Sequence, residues 1–167
     1  MVEIRRIGAE DWALWRDMRL VALGDSPDSF GASLDVERGY DEATWRSRMQ
    51  PGKGVQVVAF NDQPVGIVGG YLPEDDADLV ELISMWVMPS ARGRRIAELL
   101  VDDVLRWARE LGRPTVGLFV TEGNEPARRL FERIGFSANG EREVLESNPK
   151  LYCNRMICDP RTRQQPD

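Results

Sequence analysis

The chain has 167 residues, enough for one domain with a sizeable core and too few for two ordinary ones. Its 42% apolar and 30% charged residues suit a soluble globular protein, and a net charge of −6 disfavours nucleic acid and anionic membranes as partners. It has no histidine, which excludes a Ser–His or Cys–His catalytic pair and any His-ligated metal, so no metal is expected.

Residues 2–7 alternate apolar and polar and predict a first strand. From 9 to about 23 the pattern is helical, with Trp12, Trp15, Arg16, Arg19 and Leu23 recurring by threes and fours, and Asp25-Ser26-Pro27-Asp28 ends it. A second helix, 41–49, carries Trp45 and stops at Pro51-Gly52. The tryptophans Trp12, Trp15, Trp45 and Trp107 lie on apolar helix faces and are expected in the core. Strands at 55–60 and 65–71 read as a hairpin around Asn61-Asp62-Gln63, and an acidic turn, 73–78, leads to a third apolar run, 79–88.

The longest helix is expected from near 94 to 111, with Ile96, Leu99, Leu100, Val104, Trp107 and Leu111 inward and Glu98, Asp102, Arg106 and Glu110 outward. Gly112 and Pro114 stop it. A strand at 115–120 follows, then a helix at 125–134 with Asn124 at its N-cap and Gly135 behind it. Closing strands span 136–146 and 150–158. Cys153 and Cys158, five apart on the last strand, point to opposite faces and should not bridge. This order predicts an α/β sheet with both parallel and antiparallel neighbours covered by helices. Residues 1–160 are expected as the domain and 161–167 as a frayed tail. No apolar run is long enough to span a bilayer and no secretory signal opens the chain, so a cytoplasmic location is expected.

Chemistry concentrates in Val87-Met88-Pro89-Ser90-Ala91-Arg92-Gly93-Arg94-Arg95-Ile96-Ala97: a strand, a proline stop, and arginines where a long helix begins. A helix N-terminus carries partial positive charge and unpaired N–H donors, so cations are disfavoured there. A bound polyanion would compensate, with backbone donors and guanidinium groups acting on the same phosphates. The competing reading pairs these arginines with acidic neighbours such as Glu98. The segment lacks the Gly-rich run of a P-loop and the spaced glycines of a dinucleotide fingerprint.

That segment resembles the acetyl-CoA-binding motif of the GNAT superfamily: Arg or Gln, two variable residues, Gly, one variable residue, then Gly or Ala. Arg92 fills the first position and Ala97 the last, while Arg95 replaces the central glycine. Downstream, Asn124-Glu125-Pro126-Ala127-Arg128-Arg129-Leu130-Phe131-Glu132-Arg133-Ile134-Gly135-Phe136 resembles the family's second motif. The resemblance implies a mixed sheet of about seven strands flanked by helices. It also implies an N-acetyltransferase in which an amine of a small molecule, peptide or protein attacks acetyl-CoA directly, and by analogy a homodimer through the last strands. Cofactor contacts then fall to Met85, Trp86, Val87, Arg92, Gly93, Arg94, Arg95, Ile96, Ala97, Asn124 and Phe131, with a backbone donor for the carbonyl oxygen near 86–88.

Where the family carries a proton-donating tyrosine this chain has Phe131, so Tyr152 becomes the candidate acid. Glu81, in an otherwise apolar strand, is the candidate base, since burial would raise its pKa; a salt-bridge role is the alternative, and Glu122 a lesser candidate. Phe30 lies in a loop that would close over the acceptor. The rival functions are a CoA or acyl-CoA sensor of the same fold without turnover, and a ligand-free interaction module.

Overall fold

A computed structural model describes residues 1–163. In chain order it contains β1 (Glu3–Ile7), α1 (Trp12–Asp25), α2 (Leu34–Arg38), α3 (Glu42–Arg48), β2 (Gly54–Asn61), β3 (Gln63–Tyr71), β4 (Leu79–Val87), α4 (Ile96–Glu110), β5 (Thr115–Thr121), α5 (Glu125–Ile134), β6 (Ser137–Val144) and β7 (Tyr152–Cys158). Short 3-10 turns at Ala9–Asp11, Pro27–Ser29 and Pro89–Ala91 lead into or out of these elements.

The strands form one seven-stranded sheet in the order β1-β2-β3-β4-β5-β7-β6. Only β4 and β5 run parallel; the other neighbours are antiparallel. The β-branched run in β2 supplies both faces by its period of two. Val57 faces α4 with Val80, Val104 and Val116 in one core, whereas Val58 faces α1 and α3 with Trp15, Trp45 and Ile67 in another. Caps fix the helix starts: Asp41 Oδ1 accepts from the Thr44 N–H at 2.8 Å, and Asn124 Oδ1 accepts from the Ala127 N–H at 3.4 Å.

Four expectations need correction. The helix α2 was absent from the pattern because its one buried residue is a charge, Glu37, so hydrophobic periodicity carries no trace of it. In α4 the buried face is Ile96, Leu100, Val101, Val104, Leu105 and Ala108, while Leu99 is exposed. Glu98, expected outside, is buried beside two arginines. Trp15 and Trp45 are core residues, whereas Trp12 and Trp107 are only partly covered.

Of the expected tail, residues 161–163 are placed, with Arg163 paired to Glu98 and Asp102; residues 164–167 lie outside the described residues. Cys153 and Cys158 are both free and buried, Cys158 in the α4-side core and Cys153 towards the opposite face. Among the described residues no helix is long and apolar enough to cross a membrane.

Candidate active site

The parallel pair holds for three residues only: Leu79 with Thr115, Val80 with Val116, and Glu81 with Gly117. Beyond that vertex the strands part, so the later half of β4 has no strand neighbour on its β5 side. Ser84 marks the bend. It sits at φ 61°, in left-handed backbone, where the β3–β4 register shifts. A bulge of this kind bends and twists its strand. Such backbone is unfavourable for serine and persists where its surroundings fix it. The Arg19 Nη1 donates to Ser84 Oγ at 3.0 Å, while Arg19 Nε and Nη2 hold Glu37 at 3.0 and 3.1 Å. Burial pushes the Glu37 carboxyl up, but Arg19 and Arg48 outweigh it and hold that group below its ordinary range.

A cleft of about 960 Å³ fills the gap between the strands. This is near the upper end of ordinary ligand pockets. One end is bounded by the turn into α4. There Gly93 adopts φ 83° and Arg95 φ 61°, turning the chain so that several amide groups follow one another into the helix. The backbone N–H groups of residues 93–98 donate to no acceptor among the described residues. Four such orphans are normal at any helix start; the turn adds those of Gly93 and Arg94. A run of unpaired N–H groups at the positive end of a fifteen-residue helix has the donors and the dipole that suit an anion, and this turn is termed the cradle.

The arginines around this cradle are arranged differently from the expectation. Arg92 Nε donates to the Val87 carbonyl at 2.9 Å and Nη2 to Asp25 Oδ2 at 3.0 Å, which closes the turn back onto β4. The Trp86 indole N–H also donates to Asp25 Oδ2 at 2.9 Å. Together Trp86, Ser26 and Arg92 hold the Asp25 carboxyl below its ordinary range. Arg95 pairs with Glu98, as the competing reading had it. Arg95 and then Arg163 hold the Glu98 carboxyl low against the opposing effect of burial. Arg94 is exposed, has no ion-pair partner among the described residues and does not line the cleft.

At the other end, Glu81 is pinned. Both of its oxygens accept from the Arg155 guanidinium, at 2.5 and 2.7 Å, and both side chains are largely buried. The guanidinium lies across β5 at Gly117, where any Cβ would collide with it. The glycine leaves room for a latch over the vertex of the fork, which a larger residue would have to push aside. An unpaired buried carboxylate, on which the expectation of a base rested, is not what stands there. Tyr71, opposite Glu81 in the β3–β4 ladder, lines the same end, and burial and then the Glu81 charge push its hydroxyl up.

The cleft brings together most of the expected set: Glu81, Met85, Trp86, Val87, Arg92, Gly93, Arg95, Ile96, Ala97, Asn124, Phe131 and Phe30. Phe131 packs edge-on against Phe136 at 5.6 Å, and Phe30 lies under the Arg19 guanidinium at 5.0 Å. Tyr152 is on the far face, with the Arg142 guanidinium 3.6 Å above its ring, and does not reach the cleft. Glu122 holds the same Arg142 at 2.5 Å. The Met88 N–H, one of the expected carbonyl-oxygen donors, is taken by Val65 O at 2.8 Å. Sequence reasoning missed Tyr71, Asp25, Arg155 and Arg163. Only Tyr71 left a signal, as the strand-end aromatic opposite Glu81.

Known proteins resemble this chain in sequence and fold. The family model described as Acetyltransferase (GNAT) family matches residues 15–136. The uncharacterized N-acetyltransferase YjgM of Escherichia coli is 30% identical over 135 residues, covering 71% of this chain and 80% of that protein. The L-2,4-diaminobutyric acid acetyltransferase of Streptomyces coelicolor is 33% identical over 142 residues, 82% of this chain and 76% of that one. Among solved structures, yncA of Salmonella typhimurium with its cofactor acetyl-CoA superposes with a TM-score of 0.75 at 18% identity, covering 100% of this chain and 98% of that chain. With the forked sheet, the turn at 92–97 and a family match across both, the chain belongs to the GNAT acetyltransferase family.

Proposed function

We propose that the protein transfers an acetyl group from acetyl-CoA to an amine. The observation that carries this is the run of unpaired N–H groups at 93–98, in the turn that bounds the cleft at the start of α4. A diphosphate fits that donor set, since each amide can meet an anionic oxygen and the helix dipole favours the charge. The free side of β4 beyond Glu81 offers further backbone groups to the amides of a pantetheine arm. Apolar Ala127, Leu130 and Phe131 cover the opposite wall.

Acetyl-CoA, when bound, supplies the thioester carbonyl that a neutral amine attacks. The chain's share is to align the two partners at the fork and keep bulk water away, which is where much of the rate gain in such transfers arises. The acceptor approaches from the end lined by Phe30, Tyr71 and Glu81. With acetyl-CoA bound, transfer would form a carbon–nitrogen bond, break a carbon–sulfur bond and leave a thiolate in need of a proton. Phe131 cannot donate one and Tyr152 is on the far face, so water serves. Glu81, held and neutralised by Arg155, shapes the acceptor end of the cleft. The relative named for L-2,4-diaminobutyric acid supports a small amine as acceptor.

A melting curve with acetyl-CoA, followed by CoA release across a panel of amines, tests this reading. A ligand at a hundredfold excess over its Kd stabilises the fold by about 2.7 kcal/mol, so a clear rise in Tm is expected. Turnover with at least one amine class is expected next. The absence of a hydroxyl at Phe131 favours one second reading, a CoA or acyl-CoA sensor, and tight binding with no turnover on any amine would select it.

A further inference from the structure

A buried carboxylate stands where an anion has to bind. Glu98 is 5% exposed, lines the cleft and belongs to the first turn of α4, beside the unpaired N–H groups. A bare carboxylate there would occupy the helix-end donors itself and repel phosphate oxygens. Two cations hold it. Arg95 Nε and Nη2 donate to its two oxygens at 3.0 and 3.2 Å. Arg163 Nη2 donates to Oε1 at 2.5 Å, and Arg163 Nε is braced on Asp102 Oδ1 at 3.0 Å. The two arginines differ in freedom: the Arg95 side chain is 74% exposed, the Arg163 side chain 16%. If Arg95 turns to an incoming phosphate, Glu98 loses one counter-ion and keeps the other.

We propose that Arg163 is a positioning residue of the cofactor site, keeping Glu98 neutralised so that Arg95 is released to a diphosphate-bearing ligand. The idea rests on the reading of the cleft as an acetyl-CoA site and adds a residue outside both sequence motifs. It also gives a reason why an arginine can occupy the central position of the first motif. Arg95 is a spare phosphate ligand stored on Glu98, and Arg163 makes its departure inexpensive.

Isothermal titration with acetyl-CoA tests this on the full chain, comparing wild type with Arg163→Ala, Arg163→Lys, Glu98→Gln and the double variant Arg163→Ala with Glu98→Gln. Ligand-free melts check that each is folded. Arg163→Ala is expected to weaken binding roughly five- to tenfold, the scale of one charge at a helix terminus. Arg163→Lys should stay near wild type. Glu98→Gln should bind as tightly as wild type or more tightly, and should erase the loss in the double variant. A merely structural Arg163 would show the same loss in both backgrounds. Unchanged affinity in Arg163→Ala, or a loss that persists with Glu98→Gln, overturns the role. Should Arg163→Ala not fold, Glu98→Gln decides alone, and weaker binding than wild type refutes the proposal. A wild type that does not bind acetyl-CoA removes the functional reading itself, an outcome distinct from these.

Discussion

Glu81, in the cleft, and Asp25, beside it, are each held by a guanidinium group, and each arrangement has its own consequence. Glu81 and Arg155 form a buried bidentate pair across Gly117. Removing one partner strands the other, at a cost of about 3 kcal/mol, whereas replacing both with apolar residues costs far less. Glu81→Gln is therefore expected to lower stability sharply in urea denaturation. Glu81→Leu with Arg155→Met should recover most of the loss; no recovery would contradict a structural latch. Asp25 is the second case. Its folded pKa is depressed below the ordinary 3.8, so its contribution to stability is complete above that value and fades as pH falls through the lower folded one. Asp25→Asn should melt below wild type at neutral pH and converge with it at the acid extreme. Parallel Tm curves for the two proteins from pH 7 to pH 2 would contradict this. Neither pairing was legible in the sequence, because their partners lie 74 and 67 residues away along the chain and only the fold brings them together.

Among the elements, α4 does two tasks: its sides fill the core and its N-terminus faces the cleft. Leu100 is fully buried and packs over Gly66 of β3. Leu100→Ala is expected to cost about 3 kcal/mol by equilibrium unfolding, with ligand affinity little changed in the folded fraction. An effect under 1 kcal/mol would show that this face does not carry the packing. Long elements such as α4 and the β2–β3 hairpin were legible because apolar spacing marks their period, although in α4 it misplaced the edge of the buried side at Leu99 and Glu98. The cradle was partly legible, since an arginine-rich helix start is unusual in itself. What spacing could not show is that Arg92 closes the turn onto Val87, or that the bulge at Ser84 parts β4 from β5. The first is a local side-chain contact that apolar spacing does not encode, and the second depends on pairing with β3 and on Arg19, which lies far along the chain.

For the molecule as a whole, a net charge of −6 must admit a ligand that is itself polyanionic. The long-range field opposes entry, and local donors at α4 supply the attraction. Salt screens both, but the exposed side chain of Arg95 is screened more than the backbone amides. Acetyl-CoA affinity is therefore expected to fall only by about two- to threefold between 50 and 300 mM salt. A steep loss, of a hundredfold or more, would mean that side-chain charges dominate and would contradict the leading role given to the amides.

The most direct measurement is the amide spectrum of the nitrogen-15-labelled protein during titration with acetyl-CoA. The N–H signals of residues 93–98 should shift together and saturate with the same Kd, moving downfield as each gains an acceptor. Saturable binding that left those amides where they were, while shifting others, would show that the ligand sits elsewhere and that the helix start is not its cradle.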